Sequence, residues 1–213
     1  MNSVLHPVEL RVLGALIEKE STTPEYYPMT LNSLVAACNQ KTNRWPVTEY
    51  TEDDVSDGID ALKARGYAAS ISGSGRVVKF AQRFTEKLNL GRRETAILCV
   101  LMLRGPQTVG EIKGRTERIY AFADLDETET VLQKMMDRAE GALAQKLPHA
   151  PGTKEPRYAQ TLGGAIDVSA AAVTASSAVT GGISDRVSSL EAEVSRLREE
   201  VTEMRRRLDE VLN

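Results

Sequence analysis

The chain has 213 residues, enough for one large domain or two small ones with cores of their own. Apolar residues make up 41%, charged residues 27% and aromatics 5%, a globular composition whose packing leans on aliphatic side chains. A formal net charge of −3 excludes global attraction to DNA or to anionic membranes, so any nucleic-acid contact needs a local patch.

The opening MNSVLHPVEL lacks the basic and apolar regions of a signal peptide. No segment approaches the ~18 consecutive apolar residues of a membrane span, so no membrane partner is expected. Cys38 and Cys99 stand apart, and Cys99 sits inside the apolar run AILCVLML. Packed, reduced thiols in a cytoplasmic protein are expected.

In chain order, a first helix is expected over ELRVLGALIEK (9–19) and a second after Thr30 in TLNSLV, with the threonine as cap. The stretch LVAACNQKTNRWPV (34–47) starts as an apolar helix face and then turns into amides and cations. Pro46 lacks an N–H and biases Trp45 toward extended geometry, which ends any helix before the loop. A third helix, EDDVSDGIDALKARG, points Val55, Ile59 and Leu62 inward. The hairpin YAASISGSGRVVKFAQ follows, with Gly73-Ser74-Gly75 at its tip. That glycine-bearing tip lacks the spacing and the Lys-Ser/Thr of a phosphate loop.

The same order then recurs. ETAILCVLMLR (94–104) matches residues 9–19, TVGEIK from Thr108 matches TLNSLV, and DETETVLQKMMDRAEG carries Thr128, Leu132 and Met135 as its core positions. A second β-like stretch turns at Pro151-Gly152, and Arg157-Tyr158-Ala159-Gln160 matches Lys79-Phe80-Ala81-Gln82 in type. Helix, helix, helix, hairpin is the order of a winged-helix unit. The expected fold is therefore mainly α with small β wings (α+β): two tandem winged-helix domains at 1–84 and 90–162, joined by a connector at 85–89.

Residues 163–182 are small and nearly uncharged, the composition of a flexible linker with a reach of about 25 Å. Over 183–213, Val187, Leu190, Val194, Leu197, Val201, Met204, Leu208 and Val211 alternate three and four residues apart. Valine at a with leucine at d favours a parallel two-stranded coil. The g–e pairs Arg186–Glu191, Glu193–Arg198 and Glu200–Arg205 would all attract across a dimer, so a homodimer through this C-terminal coiled coil is expected. A helix folded back on its own domains is the alternative.

Catalysis needs a tuned base near a nucleophile. His6 and His149 have no partner at ligand or triad spacing, and the cysteines form no CxxC, so neither a cofactor nor a metal is expected. Lys41 and Arg44 could lower the pKa of Cys38, but its place on the apolar face with Leu34 and Val35 favours a packed thiol. The chain reads as a non-enzyme with no small-molecule substrate evident.

LIEKESTTPEYYPMTLNSLVAACNQKTNRWPV, GRVVKFAQRF, MLRGPQTVGEIKGRTERIYAFADL and PGTKEPRY together resemble the YceH family of bacterial proteins, ACNQKTNR being the most specific stretch. The resemblance spans both domains and the C-terminal heptads. It implies a tandem winged-helix fold and brings no activity, substrate or cofactor with it. Trp45 departs from the family, which often has an acidic residue between that arginine and proline.

Winged-helix proteins commonly insert helix 3 into the major groove. Here the outer face of helix 3 carries Asp53, Asp57, Asp60 and Ala64, and that of its repeat carries Asp126, Thr130, Gln133 and Asp137. Carboxylates aimed at phosphates disfavour insertion. Cations lie elsewhere, at Arg76, Lys79, Arg83, Lys87, Arg92 and Arg93, with Lys41 and Arg44 in the loop and Lys113, Arg115 and Arg118 in the second domain. The candidate binding set is Asn39, Gln40, Lys41, Asn43, Arg44, Trp45, Arg76, Lys79 and Arg83, gripping phosphate backbone through the helix-2 turn and wing. Asn39, Gln40 and Asn43 equally fit a capping role, and Trp45 fits stacking on a partner or packing on its own domain. Two readings stand. One is a dimeric, transcriptional-regulator-like protein associated with DNA; the other is a protein-interaction scaffold using the acidic helix-3 faces.

Overall fold

The computed structural model describes residues 4–71, 77–148 and 155–164. The tips of both expected wings, Arg76, the expected linker from residue 165 onward and every heptad position from Val187 to Val211 lie outside the described residues.

The first half opens with α1 (Pro7–Thr22), a helix started by a proline that needs no amide partner. The amide of His6 donates to the Glu9 carboxylate at 2.8 Å, tying down the first turn. The two-residue strand β1 (Met29–Thr30) runs into α2 (Leu31–Cys38), where the Thr30 hydroxyl accepts from the Ser33 amide at 3.3 Å. A long loop leads to α3 (Glu52–Ala64), capped by reciprocal bonds between Thr51 and Asp54. Gly66, at a φ of 69°, ends α3: its amide reaches the Lys63 carbonyl, and that of Tyr67 reaches Leu62. This left-handed stop suits glycine because it has no Cβ. Strands β2 (Ala68–Ile71) and β3 (Lys79–Gln82) pair antiparallel, and β1 lines the other edge of β3.

A single helical turn, α4 (Phe84–Lys87), overlaps the expected connector at 85–89. The second half then runs α5 (Arg92–Arg104), α6 (Val109–Thr116), α7 (Leu125–Met136), β4 (Ala144–Lys146) and β5 (Tyr158–Gln160), the last two antiparallel. The described residues are mainly helical with small antiparallel sheets, the α+β class expected. None of their helices is long and apolar enough to cross a membrane.

The internal repeat extends to single bonds. Met29 pairs with Phe80 in the first half, and Gln107 forms the equivalent bridge to Tyr158 in the second. The Gln82 side-chain oxygen accepts from the Thr85 amide, and that of Gln160 accepts from the Gly163 amide. Val55, Ile59, Leu62, Thr128, Leu132 and Met135 are buried as the periodicity requires.

The halves pack through α1 and α5, whose residues share one core. Gly14 and Cys99 are equivalent positions in the repeat and meet there, with the thiol 3.6 Å from the Gly14 carbonyl oxygen. Contact between equivalent positions is what a local two-fold relation between the helices produces. Gly14 permits the close approach: a Cβ on it would lie 2.9 Å from the side chain of Leu103.

Candidate functional site

The loop between α2 and α3 is held by two buried arginines. Arg11, on α1 and 4% exposed, donates from Nη1 to the Cys38 carbonyl at 2.9 Å and to the Thr48 hydroxyl at 3.2 Å. Its Nη2 donates to the Pro46 carbonyl at 2.6 Å. Burial, and then the nearby Arg44, pull its pKa down from the ordinary guanidinium value. Sequence reasoning missed Arg11; the available signal was a cation inside the apolar phase of ELRVLGALIEK.

Arg44 corrects the sequence reading. Proposed as a surface cation, it is 5% exposed and forms a two-pronged ion pair with Glu18 on α1, at 3.0 and 2.6 Å. Its Nε also donates to the Ala37 carbonyl at 3.0 Å. A guanidinium so engaged has no face left for a phosphate. A buried charge persists only when paired and hydrogen-bonded, and Glu18 supplies both conditions.

Asn39 is likewise an internal clip. Its side chain donates to the Tyr50 carbonyl at 2.8 Å and accepts from the Tyr50 amide at 2.8 Å, closing the loop across its base. The capping reading therefore holds for Asn39 over base or phosphate contact. Gln40 is half-buried beside it. Asn43 adopts a φ of 61°, a left-handed conformation that asparagine tolerates better than most residues. Its side-chain oxygen accepts from the Arg104 guanidinium at the end of α5, joining the loop to the second half.

Lys41 at the tip is exposed. Trp45 is 42% exposed, and its amide donates to the Leu103 carbonyl at 2.8 Å. Pro46 and Val47 are exposed beside it. The loop thus shows solvent one cation and a short apolar edge, fixed from beneath.

The residues of the expected wing lie apart from this loop. Lys79 pairs with Thr30 at the start of α2, whereas the loop leaves the other end of that eight-residue helix, about 12 Å along its axis. Lys79 is exposed; Arg83 is exposed and meets Glu86 at 3.4 Å. Further along the basic run, Lys87 donates to the Arg65 carbonyl, Arg92 to the Ile119 carbonyl, and Arg93 pairs with Glu127 at 3.0 Å. Much of that run is therefore engaged within the fold. The outer faces of α3 and α7 are acidic as projected, with Asp53, Asp57, Asp60, Asp126 and Asp137 all exposed.

Both thiols are buried. Burial pushes Cys38 up to about 12, outweighing the nearby Arg11 and Arg44, and pushes Cys99 up as well. A thiol held protonated is a poor nucleophile, as the packed reading requires. Among the described residues, His, Cys, Asp and Glu form no group of three or more able to hold a metal ion.

Two repeated helix-and-strand halves, a braced loop and acidic outer helices define a small α+β protein. The family described as "protein of unknown function, DUF480" matches residues 5–153, and the chain belongs to it. A UPF0502 protein of Solibacter usitatus is 55% identical over 186 residues, covering 87% of this chain and 88% of that one. One from Citrifermentans bemidjiense is 51% identical over 169 residues, covering 79% and 78%, and one from Vibrio cholerae is 45% identical over 179 residues, covering 82% and 83%. These relatives bear out the resemblance carried by ACNQKTNR and its companion stretches.

Proposed function

We propose that the chain is a non-enzymatic binding protein made of two tandem winged-helix units. It dimerises through the heptads of 183–213 and associates with DNA in the manner of a transcriptional regulator. It holds phosphates with exposed cations and keeps α3 and α7 out of the groove. The observation that carries this reading is the separation of charge. Lys41 and Lys79 are exposed and, among the described residues, meet no carboxylate, while Asp53 and Asp57 of α3 and Asp126 of α7 face solvent. The raised pKa of Cys38 further supports binding over turnover.

A second reading is favoured by Asp53, Asp57 and Asp60, which share one exposed face of α3. Here the chain is a scaffold, and that face takes a basic protein partner.

One experiment separates the two. Binding of the full chain to labelled duplex DNA, followed against salt, falls steeply if phosphates are gripped. Lys41→Ala and Lys79→Ala then each flatten the slope by about one unit. Absence of binding at low salt rejects the DNA reading. A protein captured from nuclease-treated lysate and lost with Asp57→Lys supports the scaffold. Sedimentation of the full chain carrying Leu190→Asp and Leu197→Asp should show a monomer where the native chain is a dimer.

A further inference from the structure

A cleft of about 280 Å³ opens between the end of α1, the second half of α5 and the end of α6. Its walls include Val100, Leu103 and Ile119, and its polar groups include Arg104, Arg115 and Arg118. The acids nearby are mostly spoken for. Glu18 holds Arg44 with both oxygens. Glu111, which Arg115 meets at 3.6 Å, lies closer to Arg157 at 2.7 Å and also accepts from the Thr108 amide at 2.9 Å. Glu117 is the remaining carboxylate on the lining.

Arg104 is the unusual group. It is half-buried, and among the described residues no carboxylate lies within ion-pair distance of it; its side-chain partner is the neutral oxygen of Asn43. Partial burial, and then the charge of Arg115, pull its pKa down from the ordinary guanidinium value, although Glu18 on the same lining pulls it the other way. Two guanidinium groups close enough to repel, one of them partly desolvated, form an arrangement that an anion between them would relieve. Guanidinium forks fit the oxygens of phosphate.

We propose that this cleft binds a phosphate group between Arg104 and Arg115, with Arg118 at the rim. The cavity is near the small end of the range for ligand sites, roughly 300 Å³ upward, so the occupant is a phosphate with a modest organic part against Val100, Leu103 and Ile119. The same chemistry could arrive as a small phosphate ester or as a backbone phosphate of nucleic acid. In either case the anion competes with Asn43 for Arg104, which links the cleft to the braced loop. The proposal stands apart from the choice between DNA and protein as the larger partner.

Calorimetric titration of the full chain in chloride buffer at fixed ionic strength tests it, with inorganic phosphate, adenosine monophosphate and a short duplex without terminal phosphates as probes. Phosphate should bind saturably. Arg115→Gln and Arg104→Gln should each weaken it about tenfold or more, and Lys79→Gln, outside the cleft, should leave it unchanged. Arg115 is exposed on α6, so its variant carries the test if Arg104→Gln melts in buffer. Tighter binding of adenosine monophosphate than of phosphate supports the site and identifies a small ester. Displacement of phosphate by the duplex supports it and identifies the backbone. No phosphate binding by the native chain, or undiminished binding in Arg115→Gln, overturns the proposal.

Discussion

The two halves repeat one framework and close its central connection in different ways. Between α2 and α3 the closure is polar: Arg11 reaches three groups of the loop, Arg44 pairs with Glu18, and Asn39 clips Tyr50. Between α6 and α7 it is largely apolar. Ile119 and Phe122 are buried, and Tyr120 stands edge-on to Phe122 with ring centroids 4.8 Å apart. Glu127 then ties this segment down, accepting from the Ala123 amide at 2.9 Å and from the Tyr120 hydroxyl at 3.1 Å. An apolar closure draws its side chains inward. A polar closure works through backbone carbonyls and the base of the loop, leaving the tip residues Lys41, Trp45 and Val47 at the surface. The first half therefore presents a loop that the second half folds away.

The sharpest way to break this comparison is Arg44→Ala. If the polar closure is structural, the change leaves Glu18 with only Lys19, at 3.8 Å, and should cost about 3–5 kcal/mol, read as a fall in the urea midpoint. A loss below about 0.5 kcal/mol, as expected of a surface cation, would show that the ion pair does not hold the loop.

Gly14→Val comes next, because it tests the crossing at which equivalent positions meet. Its side chain would run into Leu103, and the Met102 Cβ already lies 3.3 Å from where the first added carbon would sit. Overpacking of this kind costs about 1–3 kcal/mol. A neutral result would mean that α1 and α5 separate without penalty, and that the shared core between the halves matters less than its burial suggests.

Helix order, core positions and caps were legible from sequence because each depends on local spacing. Thr30 and Thr108 cap as read, and Val55, Ile59 and Leu62 are buried as read. The role of Arg44 was not legible. Its partner Glu18 lies 26 residues away, and composition alone cannot tell a cation that faces water from one that faces a buried acid. Asn39 was left between two roles for the same reason, since its partner Tyr50 lies across the loop. Arg104 escaped notice because it ends an apolar helix, where a basic residue is ordinarily explained by the helix dipole.

The smallest expected effect concerns the strand position that the two halves share. Lys79 and Arg157 are equivalent, but Arg157 pairs with Glu111 at 2.7 Å, whereas the position matching Glu111 in the first half is Ser33. Both are the third residue of a threonine-capped helix beside the strand. The second half therefore neutralises its cation, and the first half leaves Lys79 exposed. Ser33→Glu should restore the missing pair, with a coupling of about 0.2–1 kcal/mol, as for other surface ion pairs. Because a glutamate there could also improve the cap, the pair must be isolated by a double-mutant cycle with Lys79→Ala, read by thermal melting. If Lys79 grips phosphate, the same Ser33→Glu should also flatten the salt dependence of DNA binding by about one unit. Zero coupling in the cycle would mean that Lys79 points beyond reach of α2, and that the two antiparallel strand pairs differ in geometry as well as in charge.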